Sequence, residues 1–302
     1  MLPKKRLPAT LSIILLILII GPTKIMAQES DFYAQYFQNA YLTNPAMAGL
    51  EKGLDFNLGY QQPFTSVPGS LKMQYLTVGY SAGNNVGLGL NVYNESLGLI
   101  SDTRLVLTYA YHIPFNEENK LNFGLSLGFN DTYINYNQIV GDQGDLSVNR
   151  YNQQPVYIDG DFGASYTSNQ LTVQAALPNL KSLLFGNKNQ DLQTDMSVFL
   201  ASVKYKIILE NDVNNFDIEP ITAYHAIRGV AGIFSTGLNF NVPEYDFNVS
   251  GMYFTNKSAT FAFGLDLGNL GLLLAYSDDL SSLKTANTNT FEIGLKFNFL
   301  NK

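Results

Sequence analysis

The chain has 302 residues, no cysteine and a formal net charge of −7. The lack of cysteine excludes disulfides and thiolate metal sites, and the negative charge disfavours a nucleic-acid binder, which needs a basic surface. Only 14% of the residues are charged, against about 25% in an ordinary soluble domain, yet the mean hydropathy is close to zero. This balance is expected of strands that face lipid on one side and a polar lumen on the other.

The first 27 residues predict a secretory signal peptide. A basic triplet at 4–6 precedes an apolar run at 11–20, and the small residue Ala27 stands where the cleavage site is expected. The apolar run is too short for a membrane anchor, because a spanning helix needs about 20 residues. We therefore expect residues 1–27 to be removed from the mature chain.

Residues 28–53 form an aromatic-rich segment that does not alternate like a strand. Asn44, Pro45 and Gly49 are residue types typical of turns. Two interpretations remain open from the residues alone. The segment either closes the periplasmic mouth of a barrel as a plug with its aromatic side chains inside, or forms a docking surface for a periplasmic partner.

Residues 54–302 contain a series of strands with one apolar and one polar face. In the last of them, Phe291, Ile293 and Leu295 point one way, whereas Glu292 and Gly294 point the other. The runs are near the length of strands that cross a bilayer, which is about 9–11 residues. The 14 predicted strands are 54–61, 71–82, 86–94, 101–112, 121–136, 157–168, 170–178, 194–209, 216–226, 229–240, 245–253, 258–267, 270–278 and 289–299.

The connections between these strands indicate an orientation. With a periplasmic N-terminus, the three longest gaps, 137–156, 179–193 and 279–288, all fall on the outer side. Long outer loops and short inner turns are the usual asymmetry of outer-membrane barrels. A soluble β-sandwich is the alternative, but sandwiches usually stop at about 7–9 strands. We therefore predict an all-β fold, an antiparallel transmembrane outer-membrane β-barrel of about 14 strands at 54–302.

The faces expected to point inward carry two further features. Glycines such as Gly124 and Gly128 recur there and indicate a crowded or sharply curved wall. Lys204 and Lys206 share one such face, where we expect them to pair with lumenal carboxylates such as Asp266 or Glu292, or to line a channel.

The residues offer little for catalysis or for a metal. His112 and His225 are the two histidines, and the same-face neighbour of His112 is Ala110, which has no hydroxyl for Ser-His chemistry. The acidic stretch 141–145 lacks the full ligand count of a calcium loop. We predict no catalytic residue, no metal site and no cofactor.

Several motifs together resemble the PorP/SprF family. Residues 35–37, Gln-Tyr-Phe, followed by Asn-Pro-Ala-Met-Ala-Gly at 44–49, are similar to its N-terminal signature. Residues 121–128 and 176–180 resemble two further family segments, the latter ending in Pro-Asn-Leu. One departure is Pro63-Phe64, where the family commonly has a tryptophan.

The resemblance implies a non-enzymatic outer-membrane component of the type IX secretion and gliding machinery of Bacteroidetes. It would help to export a secreted surface protein or adhesin, or anchor it, through its outer loops, and it would meet periplasmic secretion components through residues 28–53. Outer-membrane lipid is the other expected partner. The alternative is a passive channel, a porin or a hydrophobic-compound transporter, which requires an open lumen. The residues expected in partner docking are Gln35, Tyr36, Phe37, Asn44, Pro45, Ala46 and Gly49.

Overall fold

The computed structural model describes residues 35–63, 69–135, 146–185, 197–210, 215–228, 231–280 and 289–299, so the expected signal peptide lies outside the described residues. The strands are β1 Leu54–Pro63, β2 Lys72–Gly83, β3 Val86–Leu97, β4 Ile100–Pro114, β5 Lys120–Ile134, β6 Tyr157–Thr167, β7 Leu171–Leu177, β8 Ser197–Tyr205, β9 Ile207–Glu210, β10 Asn215–Ile227, β11 Ile233–Val242, β12 Phe247–Phe254, β13 Ser258–Leu267, β14 Leu270–Asp279 and β15 Thr290–Phe299. The helices are α1 Gln35–Gln38, α2 Ala40–Thr43, α3 Leu146–Asn152 and α4 Leu180–Phe185, with 3-10 turns at Pro45–Met47 and Pro243–Tyr245.

All the strands belong to one antiparallel sheet that closes on itself through the pairing of β1 with β15. The strands β8 and β9 both pair with β10 and share one position in the wall, so the barrel has 14 strands. Pro220 of β10 stands opposite Tyr205 in the same register and has no N–H to donate, which explains the break between β8 and β9. The predicted antiparallel barrel of 14 strands is confirmed.

The alternation along each strand sorts the side chains between lipid and lumen. On β5, Leu125 and Leu127 are exposed on the outer surface, whereas Asn122 and Ser126 are buried inside the barrel. The exposed leucine and aromatic side chains of the other strands continue this apolar surface around the wall. No helix among the described residues is long and apolar enough to span a bilayer.

The two ends of the barrel differ. At one end the connections are short, and Asn84 and Asn85 link β2 to β3 in a two-residue turn with φ values of 51° and 67°, as a type I′ hairpin requires. At the other end the long connections follow β5, β7 and β14. We call these the turn end and the loop end, and we expect the turn end to be periplasmic.

The two inward lysines, Lys204 on β8 and Lys206 between β8 and β9, have different partners from those expected. Lys204 Nζ is 3.5 Å from Glu219 Oε2, and Lys206 Nζ is 2.7 Å from Asp217 Oδ2. Both carboxylates lie on β10, the neighbouring strand. The alternation predicted the inward face correctly, but the partners depend on which strands are adjacent and on their register.

Candidate functional site: a lumenal plug and its cradle

Residues 35–50 lie inside the barrel, and we call them the plug. Gln35 contacts Glu292, the third residue of β15 from the loop end, whereas Gly49 lies against Tyr80 and Gly87 beside the turn between β2 and β3. The plug therefore runs from the level of Glu292 down to the turn end, where the chain enters β1.

Short-range capping shapes the plug. The Asn39 side chain accepts a hydrogen bond from the backbone N–H of Leu42, and the Asn44 side chain accepts one from that of Ala46 at 2.9 Å. Each asparagine thereby satisfies a donor at the start of a helical turn. Pro45 occupies the first position of the second turn, where its missing N–H is harmless. These contacts explain the turn-forming residues recognised in the sequence.

Polar side chains of the wall hold the plug along its length. The amide of Gln35 donates to Glu292 Oε1, which also accepts a hydrogen bond from the Tyr75 hydroxyl at 3.1 Å. Glu292 is only 3% exposed, and a buried carboxylate that loses a donor is destabilised by about 1–3 kcal/mol or more. Further along the plug, Asn39 Nδ2 donates to Thr77 Oγ1 at 3.0 Å.

Tyr41 makes the next contact. Its hydroxyl donates to Thr108 Oγ1 at 2.8 Å, and Thr108 also shares a hydrogen bond with Ser126. Burial raises the pKa of the Tyr41 phenol above its ordinary value. The phenol therefore keeps its proton, and it remains a donor to the wall.

Asn44 links the plug to two strands at once. Its Nδ2 lies 3.3 Å from the carbonyl oxygens of Ala164 and Ala175 and 3.4 Å from Gln174 Oε1, on β6 and β7. All three partners are acceptors, so the side-chain amide fits where a carboxylate would not. The Oδ1 atom of the same side chain accepts the hydrogen bond from the N–H of Ala46, so both polar atoms of the Asn44 side chain are held.

His112 contacts the plug rather than a nucleophile. Its Nε2 is 3.1 Å from the carbonyl oxygen of Ala48, and its Nδ1 is 2.9 Å from Asn122 Oδ1. Asn122 in turn donates to Ser165 Oγ at 3.0 Å. The other histidine, His225, is buried on β10.

Inward glycines of the wall fit the plug closely. At each of them an added Cβ would lie closer than 3.0 Å to plug atoms: Gly87 faces the carbonyl of Ala48, Gly89 the hydroxyl of Tyr41, Gly124 the backbone of Pro45 and Ala46, and Gly163 the side chain of Asn44. At these four points the wall has no side chain, which leaves room for the plug. We call these four glycines the cradle. The crowding predicted at Gly124 comes from the plug, whereas an added Cβ at Gly128 would meet Leu105 and Val106 of the neighbouring strand β4.

The structure brings the seven expected docking residues together inside the lumen. Gln35, Asn44 and Ala46 are at most 3% exposed, and Pro45 and Gly49 are also buried. Tyr36 packs in a buried cluster with side chains of β10 to β12, and Phe37 packs partly against the same cluster. Sequence reasoning missed the wall residues that receive them, although the inward glycines gave a signal.

The plug contacts are hydrogen bonds between amides, hydroxyls, backbone carbonyls, one imidazole and one carboxylate, together with packed apolar groups. Within the described ranges, no cluster of three or more His, Asp or Glu side chains could hold a metal ion. Such contacts can hold a segment in place.

The barrel is similar to solved outer-membrane barrels. The Ralstonia pickettii toluene transporter TbuX has a TM-score of 0.51 at 13% identity, with 86% of this chain and 93% of TbuX covered. The Acinetobacter baumannii outer membrane protein Omp33 has a TM-score of 0.48 at 10% identity, with 83% of this chain and 100% of Omp33 covered. At these identities the likeness concerns the fold alone. Comparison with curated proteins gives no match.

A family model matches nearly the whole sequence. It is described as type IX secretion system membrane protein PorP/SprF, and it covers residues 25–297, which include both the plug and the wall. Family and fold agree on an outer-membrane location. The chain therefore belongs to the PorP/SprF family of type IX secretion system membrane proteins.

Proposed function

We propose that this barrel is a non-enzymatic component of the type IX machinery that helps to export a secreted partner protein, such as an adhesin, or to anchor it at the cell surface. Family membership supports the link to secretion. The observation that supports a scaffolding role is the plug, which is fitted to the wall by the cradle. A barrel filled by its own chain is suited to bind other proteins at its ends and outer surface rather than to pass solutes.

The burial of the plug limits how a partner could use it. Gln35, Tyr36 and Asn44 face the wall, so a periplasmic partner could contact them only if the plug left the lumen. We propose that the family signature acts in docking indirectly, because it holds the plug and thereby shapes the turn end. The exposed side chain of Glu51 lies there and forms an ion pair with the partly exposed Lys296, whose Nζ is 3.3 Å away.

Copurification tests the proposal. The tagged barrel would be isolated from detergent-solubilised outer membranes, and the bound proteins would be identified by mass spectrometry, with an unrelated tagged barrel as control. We expect a large secreted protein together with periplasmic secretion components. Recovery of the barrel alone, in detergent that keeps other membrane complexes intact, would contradict the proposal.

The channel alternative makes a different prediction. A porin or a hydrophobic-compound transporter needs a continuous lumen, whereas residues 35–50 lie across this one. We expect the purified protein to show no steady conductance in planar bilayers. A stable ohmic conductance in the unmodified protein would favour the channel.

A further inference from the structure

The pairing of β1 with β15 closes the barrel, and we call it the seam. Leu54 stands opposite Phe299, and the register runs unbroken along β1 to Pro63. The other pairings of the wall join strands that follow one another in the chain, whereas the seam joins the first strand to the last. Closing the longest loop carries the largest entropic cost, so we expect the seam to form last.

A side chain from β2 reaches across the seam. Tyr75 stands opposite Gly59 of β1, and Gly59 in turn stands opposite Gly294 of β15. A Cβ on Gly59 would lie closer than 3.0 Å to the phenol ring of Tyr75, so the ring crosses β1 where that strand has no side chain. The Tyr75 hydroxyl thereby reaches Glu292 of β15 and donates to its Oε1 at 3.1 Å. This hydrogen bond joins the second strand to the last.

The tip of the plug meets the same carboxylate. Gln35 Nε2 donates to Glu292 Oε1, the oxygen that also accepts the hydrogen bond from Tyr75. All three side chains are at most 6% exposed. The plug, β2 and β15 therefore converge on one buried oxygen atom, although they lie far apart in sequence.

The carboxylate makes closure of the seam depend on hydrogen-bond donors. Glu292 loses contact with water when β15 pairs with β1, since it is 3% exposed in the closed barrel. Burying a carboxylate is unfavourable unless donors replace the lost water. Tyr75 and Gln35 supply such donors, so each should favour the closing step as well as the closed wall.

The plug has a seat that does not require the seam. The four cradle glycines lie on β3, β5 and β6, and the acceptors of Asn44 lie on β6 and β7. Each of the strands from β3 to β7 pairs with the next along the chain, so this part of the wall forms without β15. A plug that entered after closure would have to thread the lumen past the close contacts at Gly124 and Gly163.

We propose that the plug guides closure of the barrel. Seated on the strands from β3 to β7, it holds Gln35 where the Glu292 carboxylate arrives, and Tyr75 completes the site from β2. The strand β15 then pairs with β1 faster than it would beside an empty lumen, and the closed wall reached at the end is the same. The inference does not depend on the proposed function, because it concerns the assembly of the wall.

Disulfide trapping during refolding tests the proposal. The chain has no natural cysteine, so Leu58→Cys with Leu295→Cys reports the seam, where the two leucines stand opposite each other. Leu107→Cys with Leu127→Cys, which stand opposite each other on β4 and β5, is the matched control. The urea-unfolded chain would be diluted into detergent micelles, oxidised in short pulses at increasing times and analysed on non-reducing gels.

The contact of Gln35 should decide the rate at the seam. We expect Gln35→Ala to slow disulfide formation there about tenfold, because a buried carboxylate loses a donor, and to leave the β4–β5 pair unchanged. Tyr41→Phe is the matched plug variant, since it also loses one hydrogen bond to the wall, but to Thr108 of β4. Equal slowing of the seam in both variants, or an unchanged seam rate in Gln35→Ala, would overturn the proposal.

A change in the acceptor tests the same contact from the other side. Glu292→Gln removes the charge whose burial the donors offset. We therefore expect Gln35→Ala to slow the seam less than about twofold in that background, as coupled sites require. Additive effects of the two substitutions on the seam rate would overturn the proposal.

The order of events gives a test that leaves Gln35 and Glu292 unchanged, so it does not depend on how well their variants refold. Asn39 and Thr77 are in contact in the seated plug, with 3.0 Å between Nδ2 and Oγ1. We expect Asn39→Cys with Thr77→Cys to react with a short bismaleimide before the seam disulfide can form. A seam that closes before the plug crosslinks would overturn the proposal.

Discussion

The close contact between Gly124 and the plug predicts that a side chain at position 124 would displace the plug. A Cβ at this position would collide with the backbone of Pro45 and Ala46, and backbone cannot move aside as the end of a flexible side chain can. We expect Gly124→Ala to weaken the seating of the plug while the barrel still forms, because the backbone conformation of β5 suits alanine.

The magnitude follows from the cost of overpacking. An extra methyl group in a tightly packed site costs about 1–3 kcal/mol. Since about 1.4 kcal/mol changes an equilibrium tenfold, the population with a displaced plug should rise about 5-fold to 150-fold. Gly251→Ala is the matched control, because its nearest neighbour, a ring carbon of Phe261, is an ordinary 3.7 Å away.

Single-channel recording in planar bilayers measures that population. We expect more frequent openings for Gly124→Ala than for the unmodified protein, and no change for Gly251→Ala. If both variants behaved alike, or if Gly124→Ala stayed closed while a deletion of residues 28–50 opened the pore, the cradle would not be what seats the plug.

Three further substitutions test the polar contacts of the plug. Gln35→Ala should leave the buried Glu292 short of a donor and lower the free energy of unfolding by about 1–3 kcal/mol, measured by urea titration in detergent micelles. Asn44→Asp should destabilise more than Asn44→Ala in that titration, because it places a carboxylate against three acceptors; the reverse order would refute the assigned amide orientation. Tyr41→Phe should cost about 0.5–1.5 kcal/mol by loss of its hydrogen bond to Thr108, and an unchanged unfolding midpoint would count against that bond.

The architecture could be predicted because it depends on a local property. Side chains alternate across any strand, so Leu125 and Leu127 had to share a face opposite Ser126, and counting such runs gave the strand number. The break between β8 and β9 escaped prediction, since it arises from Pro220 on a neighbouring strand. The partners of Lys204 and Lys206 in their ion pairs could not be predicted either, because they depend on which strands are neighbours and on the register between them.

The site was predictable only in part. Asn44 and Pro45 predict a turn, because both residue types favour turns locally. The inward glycines predict that some other part of the chain lies close to the wall. Neither pattern identifies the segment that contacts the wall, because partners such as Gln35 and Glu292 are 257 residues apart in sequence. The cradle becomes visible as a set only when β3, β5 and β6 are seen side by side.

The position of the plug inside the barrel limits the routes open to a partner. Moving the plug aside would break its hydrogen bonds to Glu292, Thr77 and Thr108, each worth about 0.5–1.5 kcal/mol net, and would expose Tyr36, worth about 1.5–3 kcal/mol of apolar burial. Together these contacts amount to about 3–7.5 kcal/mol, and the conformational entropy that the released segment regains offsets part of this sum. A partner that binds the ends or the outer surface of the barrel avoids that cost, and we expect anchoring to proceed with the plug in place.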